Sequence, residues 1–192
     1  MNLILFGPPG AGKGTQSEFI AKKYNLFQLS TGEILRNEIK NQSNLGKEIS
    51  SIINSGSLVS DDIVNKLVEN FITDTNYNNR LIFDGYPRNL IQAKNLQSSI
   101  HRNGQKIDIV LKLTVSLETI KKRISERRTI EKRLDDNEET AIKRYKTYEK
   151  STEPLINFYN KLNLLKVING EGDISQINKE IGDLIDAIEG WL

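Results

Sequence analysis

Apolar residues fall along this chain in two patterns that alternate. Five short runs, at residues 3–6, 27–29, 81–83, 109–113 and 165–168, have the length and composition of buried strands. Between them, longer stretches repeat apolar side chains every three or four positions. Val64, Leu67, Val68 and Phe71 share one helical face, and Ser60, Asp61 and Asp62 make a good start for that helix. A second helix is expected from Ser116, with Leu117, Ile120 and Ile124 inward. A third opens near Asn137, with Glu138 and Glu139 in its first turn, where acids suit the helix dipole. Pro154 is expected to interrupt it. The last helix carries Ile177, Ile181, Leu184 and Ile188, and the stripe over 174–188 reads as core packing. Strands alternating with helices predict parallel β-α-β units in an α/β sandwich.

Two stretches fit that scaffold poorly. Residues 31–59 are largely polar, and residues 127–136 are short, charged and without a clear apolar face. Polar insertions hanging from a packed sheet are candidates for mobile lids. No internal repeat or low-complexity linker is present. At 192 residues the chain has the size of one domain.

Charge and composition narrow the chemistry. A formal net charge of +2 is too small for general nucleic-acid binding, so any positive potential must be local. The absence of cysteine excludes a disulfide framework, a Cys-ligated zinc site and a thiol nucleophile, and fits a reducing cytoplasm. No segment approaches the roughly 20 apolar residues of a membrane helix. The first apolar run is too short for a signal-peptide core.

The strongest chemical signal is GPPGAGKGT, residues 7–15, placed directly after the first apolar run and before a helical stretch. Glycines let backbone N–H groups turn inward around an anion, and the helix N-terminus adds a fixed positive end. Lys13 supplies the mobile charge for β and γ phosphate oxygens. Where the general phosphate-loop pattern has a hydroxyl after the lysine, this chain has Gly14, with Thr15 one place later. The usual direct metal ligand is missing, so Mg2+ has to be held chiefly by nucleotide phosphates and waters.

A loop of this kind specifies only a nucleoside triphosphate; the acceptor must be held elsewhere. Asp84-Gly85-Tyr86-Pro87-Arg88 closes the third apolar run. A carboxylate there can orient waters around Mg2+, and Arg88 can clamp a second anion. Ser30-Thr31-Gly32-Glu33-Ile34-Leu35-Arg36 closes the second run with a cap residue, a helix start and an arginine one turn in. Taken singly these are an ordinary turn and a capped helix; together they put two arginines beside one phosphate loop.

At these residues the chain resembles the adenylate kinase family. GPPGAGKGTQ, LSTGEILR, GSLVSD, FDGYPRNLIQA and RLDDNEET occur in the family's order, with the spacing of its short form over almost the whole chain. The resemblance implies a three-layer α/β sandwich around a five-stranded parallel sheet, with core residues 1–29, 60–126 and 137–192. It also implies an AMP-binding insertion at 30–59 and a short lid at 127–136. The implied activity is reversible transfer, ATP + AMP = 2 ADP, which maintains adenine nucleotide balance, with Mg2+ as cofactor. Gly10, Ala11, Gly12, Lys13, Gly14 and Thr15 would wrap the ATP phosphates, and Asp84 would order the waters of Mg2+. Arg123 would stack on the ATP base, and Gly172 would offer it a backbone contact. Thr31, Arg36, Ser57, Leu58, Val59, Gly85, Tyr86, Pro87, Arg88 and Gln92 would receive AMP. Arg127 and Arg133 would close on phosphates, and Arg144 would reach in from the following helix.

The chemistry asks for this set. Two polyanions must meet in a dry site, which demands several cations, and a phosphate nucleophile is already ionised, so no general base is required. Lys13, Arg88, Arg127, Arg133 and Arg144 are the expected catalytic groups. Three positions depart from the family pattern: Glu33 for Asp, Tyr86 for Phe and Glu126 for Gly. A structural zinc, held by four ligands in longer relatives, is not expected. His101, the only histidine, reads as a surface residue; Trp191 either packs on the core or frays, and Asp135 and Asp136 either pair with lid arginines or begin the next helix.

Three rivals bear on the reading. A UMP/CMP kinase of the same fold is disfavoured by Thr31 and Gln92. A P-loop GTPase switch is disfavoured by Gly14 and by Asn65-Lys66-Leu67-Val68, which lacks the final aspartate of a guanine-reading motif. A nucleotide-binding module without activity would leave the second arginine site without a purpose. A monomer is expected, since no exposed apolar stripe is apparent.

Overall fold

Strands form where the apolar runs predict them, each at its expected start. The computed structural model describes residues 1–131 and 137–188. Among these, β1 (Leu3–Phe6), β2 (Phe27–Ser30), β3 (Leu81–Asp84), β4 (Ile109–Thr114) and β5 (Leu165–Asn169) make one parallel sheet in the order β2-β3-β1-β4-β5. The last four end one residue later than the apolar runs, because a polar residue continues the ladder: Ser30 pairs with Asp84, and Thr114 with Asn169. Those polar ends form the rim on which the site is built.

Helices cover both faces. They are α1 (Lys13–Tyr24), α2 (Thr31–Lys40), α3 (Asn44–Asn54), α4 (Asp61–Thr73), α5 (Leu90–Arg102), α6 (Leu117–Glu131), α7 (Glu138–Lys161) and α8 (Ile174–Asp186). Alternate residues of each strand serve opposite layers, as the pleat requires. Leu3 and Leu5 of β1 join Ile20 of α1 and Ile177, Ile181 and Ile185 of α8. Ile4 and Phe6 join Val64 and Val68 of α4, Ala93 and Leu96 of α5, and Leu155 and Tyr159 of α7. The three-layer sandwich is thus the observed fold.

Several expectations are corrected in detail. Leu117 is 37% exposed, whereas Ile120 and Ile124 are buried: at the first turn of α6 the helix has not yet reached its neighbours. Ile174 is likewise 61% exposed at the start of α8, so the core stripe begins at Ile177. Pro154 does not interrupt α7, which runs through it to Lys161. The proline lies on the exposed side of the helix, where water can satisfy the carbonyl of Lys150 that loses its donor, while Leu155 and Tyr159 are held in the core. Asn137 does cap α7, its side chain accepting from the Thr140 N–H. His101 is exposed, as expected.

The polar stretch at 31–59 folds largely as two helices, α2 and α3, packed on each other. They cross so closely at Gly46 that a Cβ there would collide with the Glu38 carbonyl oxygen and lie 2.7 Å from the Ile39 nitrogen. Gly46→Ala must therefore push the helices apart. The expected cost is about 2 kcal/mol, read as a melting temperature lower by about 4–8 °C, with a raised KM for the acceptor nucleotide. An unchanged melting curve would show that the pair accommodates the methyl. Residues 127–131 continue α6; Arg133, Asp135, Asp136 and Trp191 lie outside the described residues.

Candidate active site

The chain leaves β1, crosses to the β2 and β3 side, and later returns to β4 and β5 on the other, so β1 borders the switch in winding direction. Crevices form at such points beyond the carboxyl ends of parallel strands. Here the loop of residues 7–12 follows β1. Gly12, at φ 91°, is the residue before α1, a left-handed conformation that costs an L-residue energy and glycine little. The loop closes on itself through the Ala11 N–H, which donates to Pro8 O at 3.1 Å, and α1 begins at Lys13 with its N-terminus at the crevice.

Lys13 is folded over the loop, its Nζ donating to Gly7 O at 2.8 Å and Pro8 O at 3.1 Å. Burial holds its pKa down at about 8; Asp84 opposes the shift, and Arg88, Arg144 and Arg127 add to it. Asp84, at the end of β3, is buried and accepts from Gln28 Nε2 at 3.2 Å. Among the described residues, Asp84 and the cations of Lys13, Arg88, Arg127 and Arg144 thus bear on one another at this rim.

An open cleft of about 1100 Å³, including space continuous with solvent, spreads from Lys13 across the sheet rim. On the side of β2 and β3 it is lined by Thr31, Arg36, Gly85, Pro87, Arg88 and Gln92, and beneath α3 by Ser57, Leu58 and Val59. Thr31 Oγ1 and Arg88 Nε both donate to Gly85 O, at 3.1 and 2.7 Å, which ties the two rim segments together. Arg144 enters from α7. Gln92 is 2% exposed, with its amide oxygen accepting the Arg88 backbone N–H at 2.7 Å.

Other predicted residues lie elsewhere. Tyr86 is 1% exposed and belongs to the core behind the cleft; its hydroxyl donates its one proton to Asn65 Oδ1 at 2.7 Å, with Gln92 O the more distant acceptor at 3.2 Å. Burial pushes its pKa up to about 12. Gly10, Ala11, Gly12, Gly14 and Thr15 lie along the phosphate loop and the first turn of α1, outside the lining of this cleft. Beyond them Arg123, on α6, donates to Gly170 O at 3.0 Å and to Ala11 O at 3.4 Å, clamping the loop after β5 to the phosphate loop. Glu171 of that β5 loop caps α6, accepting from the Ser116 N–H and from Thr119 Oγ1; these bonds hold its carboxyl below the usual range. Gly172 is exposed at the same loop. Arg127 stands one helical turn beyond Arg123, and Arg133 is outside the described residues.

One wall was missed from the sequence. Thr147, Tyr148, Ser151, Thr152 and Leu155 of α7 line the cleft below Arg144. Their spacing from Arg144 is three, four, seven, eight and eleven, a helical stripe rich in hydroxyls that period counting could have found. The Tyr148 hydroxyl is buried, and its pKa is pushed up to about 12.

Among the described residues no three of His, Cys, Asp and Glu gather as a metal centre, and no helix is long and apolar enough to cross a membrane.

The sequence model of the adenylate kinase family matches residues 5–164. The adenylate kinase of Pelagibacter ubique is 44% identical, with 96% of this chain and 99% of the relative covered. That of Porphyromonas gingivalis (ATCC 33277) is 40% identical over 97% of this chain and 96% of its own length. That of Thermobifida fusca is 39% identical over 93% and 95%. Similarity of this extent, running through both the phosphate loop and the arginine rim, means that the chain belongs to the adenylate kinase family.

Proposed function

We propose that the protein catalyses ATP + AMP = 2 ADP and so keeps the adenine nucleotides in balance. The observation that carries this reading is the cleft in which Lys13, Arg36, Arg88 and Arg144 converge beside an apolar pocket containing Gln92. ATP lies with its phosphates along residues 10–15 and its base toward Arg123 and Gly172. AMP lies with its phosphate among Arg36, Arg88 and Arg144 and its base against Leu58, Val59 and Gln92. An oxygen of the AMP phosphate attacks the γ phosphorus, the bond from that phosphorus to the β,γ-bridging oxygen breaks, and two ADP result. The protein contributes alignment of attacking and leaving oxygens and cations for charge spread over the transferring group. Arginines suit that task because their planar forks accept charge from several directions.

The site's acid fits a hydrated Mg2+ carried in on the phosphates, since Asp84 can receive water ligands and no group of protein ligands is needed. When bound, the ion neutralises phosphate charge. Residues 30–59 act as the insertion that receives AMP, and residues 127–136, bearing Arg127 and Arg133, as the lid that seals the site from water. The same reading takes the protein as a cytoplasmic monomer that handles ATP, AMP and ADP, and neither nucleic acid nor membrane.

The test is phosphoryl transfer from Mg·ATP to AMP, UMP, CMP and GMP, each as sole acceptor. Rapid ADP formation with AMP alone is the expected result. Preference for UMP or CMP would replace the acceptor, and well-folded protein that phosphorylates none of the four would overturn the activity.

A further inference from the structure

Gln92 is held at both ends of its amide. Its Oε1 accepts the Arg88 N–H at 2.7 Å, and its Nε2 donates to Asp61 Oδ1, also at 2.7 Å. The same Asp61 oxygen accepts from Asn89 Nδ2 at 2.8 Å, and Asn89 Oδ1 in turn accepts the Gln92 N–H at 2.9 Å. We propose that Asp61 is a positioning residue for acceptor specificity: it fixes which way the Gln92 amide faces, and thereby which purine edge the cleft accepts. This rests on the reading that Gln92 meets the acceptor base.

A primary amide has two N–H donors and two acceptor lone pairs, so Gln92 keeps one of each after its two internal bonds. A 6-aminopurine presents a donor at its 6-amino group beside the acceptor N1. A 6-oxopurine presents the reverse, an acceptor at O6 beside a donor N1–H. An amide that can turn over matches either edge. Here, turning over would set Nε2 against the Arg88 N–H and Oε1 against the Asp61 carboxylate. A backbone N–H can only donate and an ionised carboxylate can only accept, so both contacts would be repulsive. The order of donor and acceptor shown to the ligand is therefore fixed from outside the pocket. Asp61 stands in the first turn of α4, where an acid also suits the helix dipole, but that role is equally open to the exposed Asp62.

The test compares wild type, Asp61→Ala and Asp61→Asn with Mg·ATP as donor and AMP or IMP as acceptor, two nucleotides that differ only at the purine edge. Asp61→Ala is expected to lower the AMP-to-IMP ratio of kcat/KM by about tenfold to a hundredfold, the range for one hydrogen bond to a charged group. KM for AMP should rise while KM for ATP stays where it was. Asp61→Asn should keep most of the discrimination, because a single side-chain oxygen accepts both bonds and asparagine can supply it. An unchanged ratio in Asp61→Ala, or KM values for AMP and ATP that rise together, would overturn the proposal. So would a loss in Asp61→Asn equal to that in Asp61→Ala. Should the alanine variant not fold, Asp61→Ser carries the same comparison, since serine is well tolerated at a helix start and its side chain is one atom shorter. Wild-type protein inactive on AMP would instead overturn the activity itself, a result visible before any variant is compared.

Discussion

Arg88→Ala lowers kcat/KM for AMP by about a thousandfold, within the range for removing one cation or donor from a transferring phosphoryl group. The residue follows the rim turn after β3, and its Nε bond to Gly85 O at 2.7 Å holds the planar fork at the cleft wall. Lysine cannot reproduce that fork, so Arg88→Lys is expected to recover little of the loss. The fold should not suffer. Arg88 is one of the charges that hold the Lys13 pKa down, so its removal relieves repulsion as well as deleting a bond. Steady-state kinetics paired with a thermal melt separates the two effects. A kcat within tenfold of wild type, with the melt unchanged, would take Arg88 out of the chemical step.

Lys13→Met gives the second large effect, and it has opposite signs in activity and stability. Turnover falls by about a thousandfold or more as the mobile charge for the triphosphate is lost, yet the nucleotide-free protein becomes more stable near pH 7. Lys13 has a pKa of about 8 in the folded chain, below its ordinary 10.5. Below pH 8 both states carry the proton, and the folded state bears the whole desolvation penalty. Between pH 8 and 10.5 the folded chain releases the proton while the unfolded chain keeps it, so stability rises with pH. The shift sets an upper bound of about 3 kcal/mol, reduced by the lost bonds to Gly7 O and Pro8 O. A net gain of about 1–2 kcal/mol corresponds to a melting temperature higher by about 3–6 °C. The gap from wild type should close as the pH approaches 10.5, and a gap independent of pH would show that packing, not charge, sets it. Nucleotide phosphates favour the protonated lysine, so ATP affinity should also weaken as pH rises above about 8.

The strands were readable because a parallel sheet buried on both faces demands nearly continuous apolar runs, and nothing else in the chain has that form. The phosphate loop and the two rim segments were readable for a related reason: backbone-built anion sites need glycine and a helix start at fixed offsets. Properties set by the facing partner were less accessible. Nothing local tells that Tyr86 turns into the core while Pro87 and Arg88 face the cleft, or that Leu117 lies at an edge. The wall of α7 shows as a stripe when periods are counted, but threonine, serine and tyrosine at helical spacing resemble a solvated face until another element is placed opposite. Pro154 misled because the rule against helix prolines counts a lost hydrogen bond without asking which side of the helix it is on. Gln92 stood out in the sequence as a candidate for the acceptor base, but its anchoring by Asp61 spans thirty-one residues and two helices.

Continuity of α7 through Pro154 has a mechanical consequence. A helix lacking one rung bends most easily at that rung, and on α7 the rung divides two unlike halves. The C-terminal half is fastened to the sheet by Leu155 and Tyr159, while Arg144 lies ten residues to the other side. At 1.5 Å per residue that is a lever arm of about 15 Å, so a flexure of about 5° displaces the arginine's backbone by about 1.3 Å. Travel of that size spans the difference between a charge-assisted hydrogen bond and none. On the function proposed above, a soft spot at that rung would let Arg144 travel over this range while the far end stays anchored, with Ala141 and its α6 neighbours Ile120 and Ile124 moving alongside.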